Sequence, residues 1–132
     1  MKFYETTFDD YLTEHKQIDF HPELTKNFYK KLPENKENMG HLMFCGPSGT
    51  GKYTQALKTI KKYSPSELKY EKKLFLNSDK YNYAYKISDV HYEIDFALLG
   101  CNAKLIWHEL FLQIVDIISM STLKYGIILC KN

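Results

Sequence analysis

A chain of 132 residues with 44% hydrophobic and 26% charged side chains has the composition of one globular domain or part of one, not of a disordered chain. Eighteen basic against 16 acidic residues leave a net charge of +2, too little to announce a nucleic-acid surface by charge alone. All 18 basic residues are lysines, so any arginine finger or arginine sensor for a γ-phosphate has to come from another chain.

In chain order, residues 1–21 carry scattered aromatics and acids, and Thr7 or Asp9 can cap a short helix through Tyr11 and Leu12. The beginning, Met1-Lys2-Phe3-Tyr4-Glu5, shows no signal-peptide pattern, and no apolar run reaches membrane-spanning length. Pro22 to Leu32 predicts a helix, with Pro22 at its first position, Leu24, Phe28 and Leu32 at four-residue steps, and Pro33 as its stop. After a polar loop, residues 34–40, Leu42 to Cys45 predicts a buried strand. From Gly51 a helix runs to about Tyr63, with Tyr53, Ala56, Leu57, Ile60 and Tyr63 on one face and Lys58, Lys61 and Lys62 away from it. Ser64-Pro65-Ser66 ends it.

Lys73 to Leu76 and Tyr81 to Ile87 predict a hairpin around Asn77-Ser78-Asp79-Lys80. From 89 to 96, Val90, Tyr92, Ile94 and Phe96 alternate with polar residues, which predicts a half-buried strand. Ala103 to Met120 is the longest predicted helix. It is apolar over most of its circumference, with Lys104, His108, Glu109, Gln113 and Asp116 in a narrow polar stripe, so it expects neighbours on several sides. Gly126 to Cys130 predicts a strand of the kind found inside a parallel sheet. The cysteines 45, 101 and 130 form no C-x-x-C; buried reduced thiols in a reducing compartment are expected.

The stretch with chemistry in it is Gly46-Pro47-Ser48-Gly49-Thr50-Gly51-Lys52-Tyr53-Thr54, between a predicted strand and a predicted helix. That context is what a phosphate-binding P-loop needs. Glycines let backbone N–H groups converge on an anion, the helix turns its positive end to the same spot, and Lys52 supplies a point charge for β- and γ-phosphates. The pattern G-x-x-x-x-G-K-[ST] places a Mg²⁺-holding hydroxyl after the lysine, where this chain has Tyr53. Thr54 comes one place late, rotated by about 100° along a helix. Phosphate binding without ordinary Mg²⁺ ligation is therefore expected. A glycine turn that binds nothing, and a degenerate loop that binds nucleotide poorly, are the alternatives.

The order of elements resembles the AAA+ clamp-loader ATPases, with the nearest likeness to the small subunits of replication factor C. Three pieces carry it: residues 40–52, Tyr92-Glu93-Ile94-Asp95, and Trp107-His108-Glu109-Leu110. One small subunit of that complex also replaces the hydroxyl after the lysine and keeps a threonine next, as Tyr53-Thr54 does. The resemblance implies an α/β fold: a three-layer P-loop NTPase core with a parallel sheet, incomplete at its C-terminal end. It implies an N-terminal helical segment, 1–39, and a partial nucleotide-binding core, 40–132.

It further implies ATP or ADP held by residues 46–54, other clamp-loader subunits and a sliding clamp as partners, DNA reached through the assembly, and no membrane. The implied place is intracellular: nucleus, cytoplasm or the replication site of a large DNA virus. Two departures weigh on this. The family's W-x-x-K-Y-R-P signature is not visible in residues 1–39, which leaves the adenine pocket unassigned. The strand in the Walker B position ends Cys130-Lys131-Asn132 instead of in acids, so weak or no hydrolysis by this chain alone is expected.

A non-catalytic structural subunit that keeps the fold for assembly is the second reading, and a small P-loop kinase the third. Among other residues, His108-Glu109 reads as helix polarity, and Glu93 with Asp95 as a solvated strand face in preference to a metal or acid–base pair. Lysines 58, 61, 62, 69, 72 and 73 read as solvated faces in preference to a phosphate track. The tyrosines near 81–85 read either as base-stacking groups or as hairpin packing.

Overall fold

The computed structural model describes residues 6–17, 20–76 and 78–132 and divides into two compact units, 1–69 and 70–132. The first unit is helical. Helix α1 (Phe8–Gln17) starts with a reciprocal cap: the Asp10 amide donates to Thr7 Oγ1 at 3.2 Å and the Thr7 amide donates to Asp10 Oδ2 at 2.9 Å. Helix α2 (Pro22–Asn27) is shorter than its apolar spacing predicts. The chain tightens into a 3₁₀ turn at Tyr29–Lys31, and Leu32, held extended before Pro33, stops it.

Helix α3 (Lys52–Lys61) buries Ala56, Leu57 and Ile60, as its periodicity predicts, and packs against α1, whose Phe8 and Leu12 are buried. The segment after α2 is tied to α3 by polar bonds. Tyr29 Oη donates to the Gln55 carbonyl at 3.1 Å, Lys62 Nζ to the Leu32 carbonyl at 2.8 Å and Tyr63 Oη to the Pro33 carbonyl at 2.8 Å.

The second unit is a four-stranded sheet in the order β1-β2-β3-β4, built from Lys72–Phe75, Ala84–Ile87, His91–Asp95 and Ile127–Lys131. Pairs β1–β2 and β2–β3 are antiparallel and only β3–β4 is parallel, so the fold is mixed α/β in place of the parallel sheet expected. The connections decide this. Short turns can join only antiparallel neighbours, whereas the β3–β4 link carries helix α4 (Ala103–Met120), a crossover long enough for parallel pairing.

Asn77, within the predicted turn between β1 and β2, lies outside the described residues. Helix α4 covers one sheet face: Ile106, Leu110 and Ile114 pack with Tyr83, Tyr85, Tyr92 and Ile94 in one core, with Trp107 and Ile128 at its margin. Tyr83 and Tyr85 are thus core side chains, their rings stacked at 6.5 Å, and are closed to bases. Tyr83 Oη also locks the strand end, accepting from the Asp95 amide at 3.0 Å.

Three further expectations fail. Leu42 to Cys45 forms no strand, and Leu42 and Met43 are exposed, because a strand exists only through its ladder and among the described residues this run has none. All three cysteines are free and exposed. Cys45 lies in that unpaired run, Cys101 in the 3₁₀ segment before α4, and Cys130 on β4, the open edge of the sheet. Finally, Glu93 is buried, although strand alternation puts it with Asp95 on the polar face. An internal strand has both faces available for covering, and alternation alone does not reveal which polar face stays wet.

Candidate functional site

The glycine loop is built by backbone conformations that L side chains rarely adopt. Gly49 has φ +77° and Gly51 φ +84°, and Gly51 is the N-cap of α3. The chain turns so tightly that a Cβ at Gly46 would lie 3.3 Å from Thr50 Oγ1. Inside the turn, Lys52 Nζ donates to the Gly46 carbonyl at 2.5 Å and Thr50 Oγ1 donates to the Pro47 carbonyl at 2.8 Å. The lysine at the start of α3 is therefore already curled back over the loop that precedes it.

The loop is braced from outside. His21 Nε2 donates to the Thr50 carbonyl at 2.9 Å, which fixes the Nε2–H tautomer in that contact. Tyr53 sets its ring edge-on to Tyr11, 4.9 Å between centroids at 89°. The Tyr53 ring thus packs between helices α1 and α3. The helical ladder begins with the Gln55 amide on the Gly51 carbonyl at 3.0 Å, so the Lys52 and Thr54 amides of the first turn belong to no helical carbonyl. Gly46 to Gly49 are exposed, and Thr50 to Thr54 are half-buried. Chemically, this is a curled backbone with donors and one ammonium at a helix start, an arrangement that suits a phosphate.

The described residues offer no obvious metal partner. Among them, no group of three or more His, Cys, Asp or Glu side chains is placed to hold a metal ion. A cleft of about 390 Å³ is lined by Glu34, Asn35, Lys36, Glu37, Lys62 and Tyr63, none of them loop residues, and its two carboxylates make it a poor seat for a polyphosphate.

The other residues of interest lie at the end of the parallel pair. Register sets Asp95 beside Lys131 and Glu93 beside Leu129. Lys131 Nζ stands 3.4 Å from Glu93 Oε1, and His91 Nε2 stands 3.8 Å from Glu93 Oε2. The His91 ring, fully buried, is hydrogen-bonded through Nδ1 to Ser88 Oγ, which also accepts the His91 amide at 3.0 Å. Glu93 is thus a buried carboxylate with a lysine counter-charge. His108 is exposed on α4.

Sequence reasoning did not find the His21 brace or the burial of Glu93. The first spans 29 positions with no pattern to announce it. The second had one available signal, a lone cation, Lys131, closing an otherwise apolar strand. No protein-family model matches the sequence, and no curated protein matches it.

Proposed function

We propose that this chain is a nucleotide-binding module of the clamp-loader type, of P-loop NTPase fold, that takes ATP or ADP on residues 46–54 and hydrolyses it weakly or not at all by itself. The observation that carries the reading is the loop: two left-handed glycines run straight into α3, with the Lys52 ammonium folded over the turn. On binding, Lys52 exchanges the Gly46 carbonyl for phosphate oxygens, and the first-turn amides of α3 donate to the same anion. The replacement of the metal-holding hydroxyl by Tyr53 supports nucleotide binding that is uncoupled from Mg²⁺. Its setting on this reading is a replication assembly inside the cell, with other clamp-loader subunits and a sliding clamp, and DNA reached through them.

A second reading, a subunit that keeps the fold for assembly alone, is favoured by one observation, the exposed apolar side of α4.

The test is equilibrium binding of a fluorescent ATP analogue to the intact chain and to Lys52→Ala, with and without Mg²⁺. A hydrogen bond to a charged group contributes about 1.5–3 kcal/mol, so Lys52→Ala weakens binding by roughly 10- to 150-fold, and Mg²⁺ changes affinity little. A folded chain that binds no analogue, or a Lys52→Ala variant that binds equally well, overturns the nucleotide reading and leaves the assembly reading in its place.

A further inference from the structure

We propose that the outward side of α4 is the surface by which two copies of this chain pair, through side-by-side parallel packing of the two helices about a two-fold axis. Helix α4 has two apolar sides. Ile106, Leu110 and Ile114 are buried on the sheet. Leu105, Leu112 and Val115 point the other way, and they are 57%, 50% and 43% exposed. Leu98 before the helix, and Met120 and Leu123 at and beyond its end, are also exposed. Exposed large apolar side chains on one helix, Leu105, Phe111, Leu112, Val115 and Met120, with Leu98 and Leu123 flanking it, mark a surface built to be covered.

The spacing and the charges name what covers it. Leu105, His108, Leu112, Val115 and Ser119 alternate steps of three and four, the repeat by which two helices interlock along a narrow seam. The flanks of that seam differ. One carries Lys104 and Phe111, the other Glu109 and Asp116.

Parallel pairing of two identical helices sets the first flank of each against the second flank of the other, five residues further on, so Lys104 of one copy meets Glu109 of its partner, twice. Antiparallel pairing sets each flank against itself and brings the acids of one copy against the same acids of the other. The charge pattern therefore fits a second copy of this chain in the parallel sense and opposes the alternative. His108, a polar member of the seam, faces its own counterpart in that arrangement and opposes a slipped register. Because the sheet already holds α4 as a helix, association carries no cost of forming it. The pairing does not depend on nucleotide, so its test and that of the glycine loop fail separately.

The experiment is sedimentation equilibrium of the full chain under reducing conditions over a micromolar concentration series. A monomer–dimer equilibrium is expected. Leu112→Glu, at an exposed position, leaves the far-ultraviolet circular dichroism unchanged and weakens dimerisation more than tenfold. Lys104→Glu and Glu109→Lys each weaken it by roughly 2- to 10-fold, since each substitution removes two exposed ion pairs and adds like-charge contacts. The double variant Lys104→Glu/Glu109→Lys restores it. A chain that stays monomeric throughout, a dimer indifferent to Leu112→Glu, or a charge swap that fails to restore pairing overturns the proposal.

Discussion

Helix α4 presents the same residue type to two environments, which makes a controlled comparison. Leu110 is fully buried against the sheet and Leu112, half a turn away, is 50% exposed. Leu110→Ala removes three carbons from a closed core, about 2.4 kcal/mol at ~0.8 kcal/mol per buried methylene. The cavity left behind raises the cost to about 3–5 kcal/mol, because packing against Tyr92, Ile94 and Ile114 relaxes only in part. Leu112→Ala forfeits half of the transfer term at most and leaves no cavity, so it costs about 1 kcal/mol or less.

Trp107 is the only tryptophan and lies in α4, 5.1 Å from the Phe96 ring and 5.8 Å from Phe111, so its fluorescence reports on this unit locally. With a urea dependence of about 2 kcal/mol per molar, Leu110→Ala moves the midpoint down by roughly 1.5–2.5 M, and Leu112→Ala by less than about 0.5 M. Protein is kept dilute, so that pairing of copies adds nothing to either value. Equal shifts for the two leucines, or a larger one for Leu112, would refute the assignment of the helix's two sides.

Two further outcomes follow from the packing of the second unit. Gly126→Ala sets a Cβ 2.6 Å from Ile118 Cδ1 and 3.1 Å from Tyr92 Cε2; the expected loss is about 1–3 kcal/mol, partly recovered by Ile118→Val, which deletes the nearer methyl. Both are read from thermal unfolding. The Tyr85 hydroxyl is buried with no hydrogen-bond partner among the described residues, so Tyr85→Phe is neutral or stabilising at pH 7.

Burial pushes the Tyr85 phenol up to about 12 from 10.0, and it raises Tyr83 and Tyr92 as well. The folded state keeps protons that the unfolded chain gives up, so stability is intact below pH 10 and falls as pH rises toward 12. Melting temperature measured from pH 9 to 11.5 should fall less steeply for Tyr85→Phe; an unchanged slope would show that Tyr85 contributes nothing to it.

Periodicity over many residues was legible in the sequence. Eighteen positions of apolar spacing gave α4 its bounds, Ala103 to Met120, and the alternation around Tyr92 and Ile94 located β3. Short apolar runs were not, because their fate depends on a partner. Leu42 to Cys45 and Ile127 to Cys130 read alike, yet only the second finds a ladder, on His91 to Ile94. The residues gave the direction of two pairings, the β1–β2 hairpin and the apolar β4 in a parallel pair, whereas the wholly parallel sheet was implied by the resemblance alone and fails at β2–β3, where the turn at Ser88 allows only an antiparallel neighbour. In the loop, the positions requiring glycine follow from the spacing, and the structure gives Gly49 and Gly51 positive φ. The bracing by His21 and Tyr11 did not follow, since both arrive through tertiary packing.

The Lys131–Glu93 pair also bears on how this chain can change over generations. On the proposed reading, a route to an ATP-hydrolysing enzyme begins with an acid at the end of β4. An aspartate replacing Lys131 would remove the counter-charge of a carboxylate that is 8% exposed and set a second negative charge beside it. That single step costs stability before any catalysis can arise, because it exchanges an attraction at a buried carboxylate for a repulsion. Recovery therefore needs a simultaneous change at Glu93, and the two-step requirement acts as a ratchet against regaining hydrolysis.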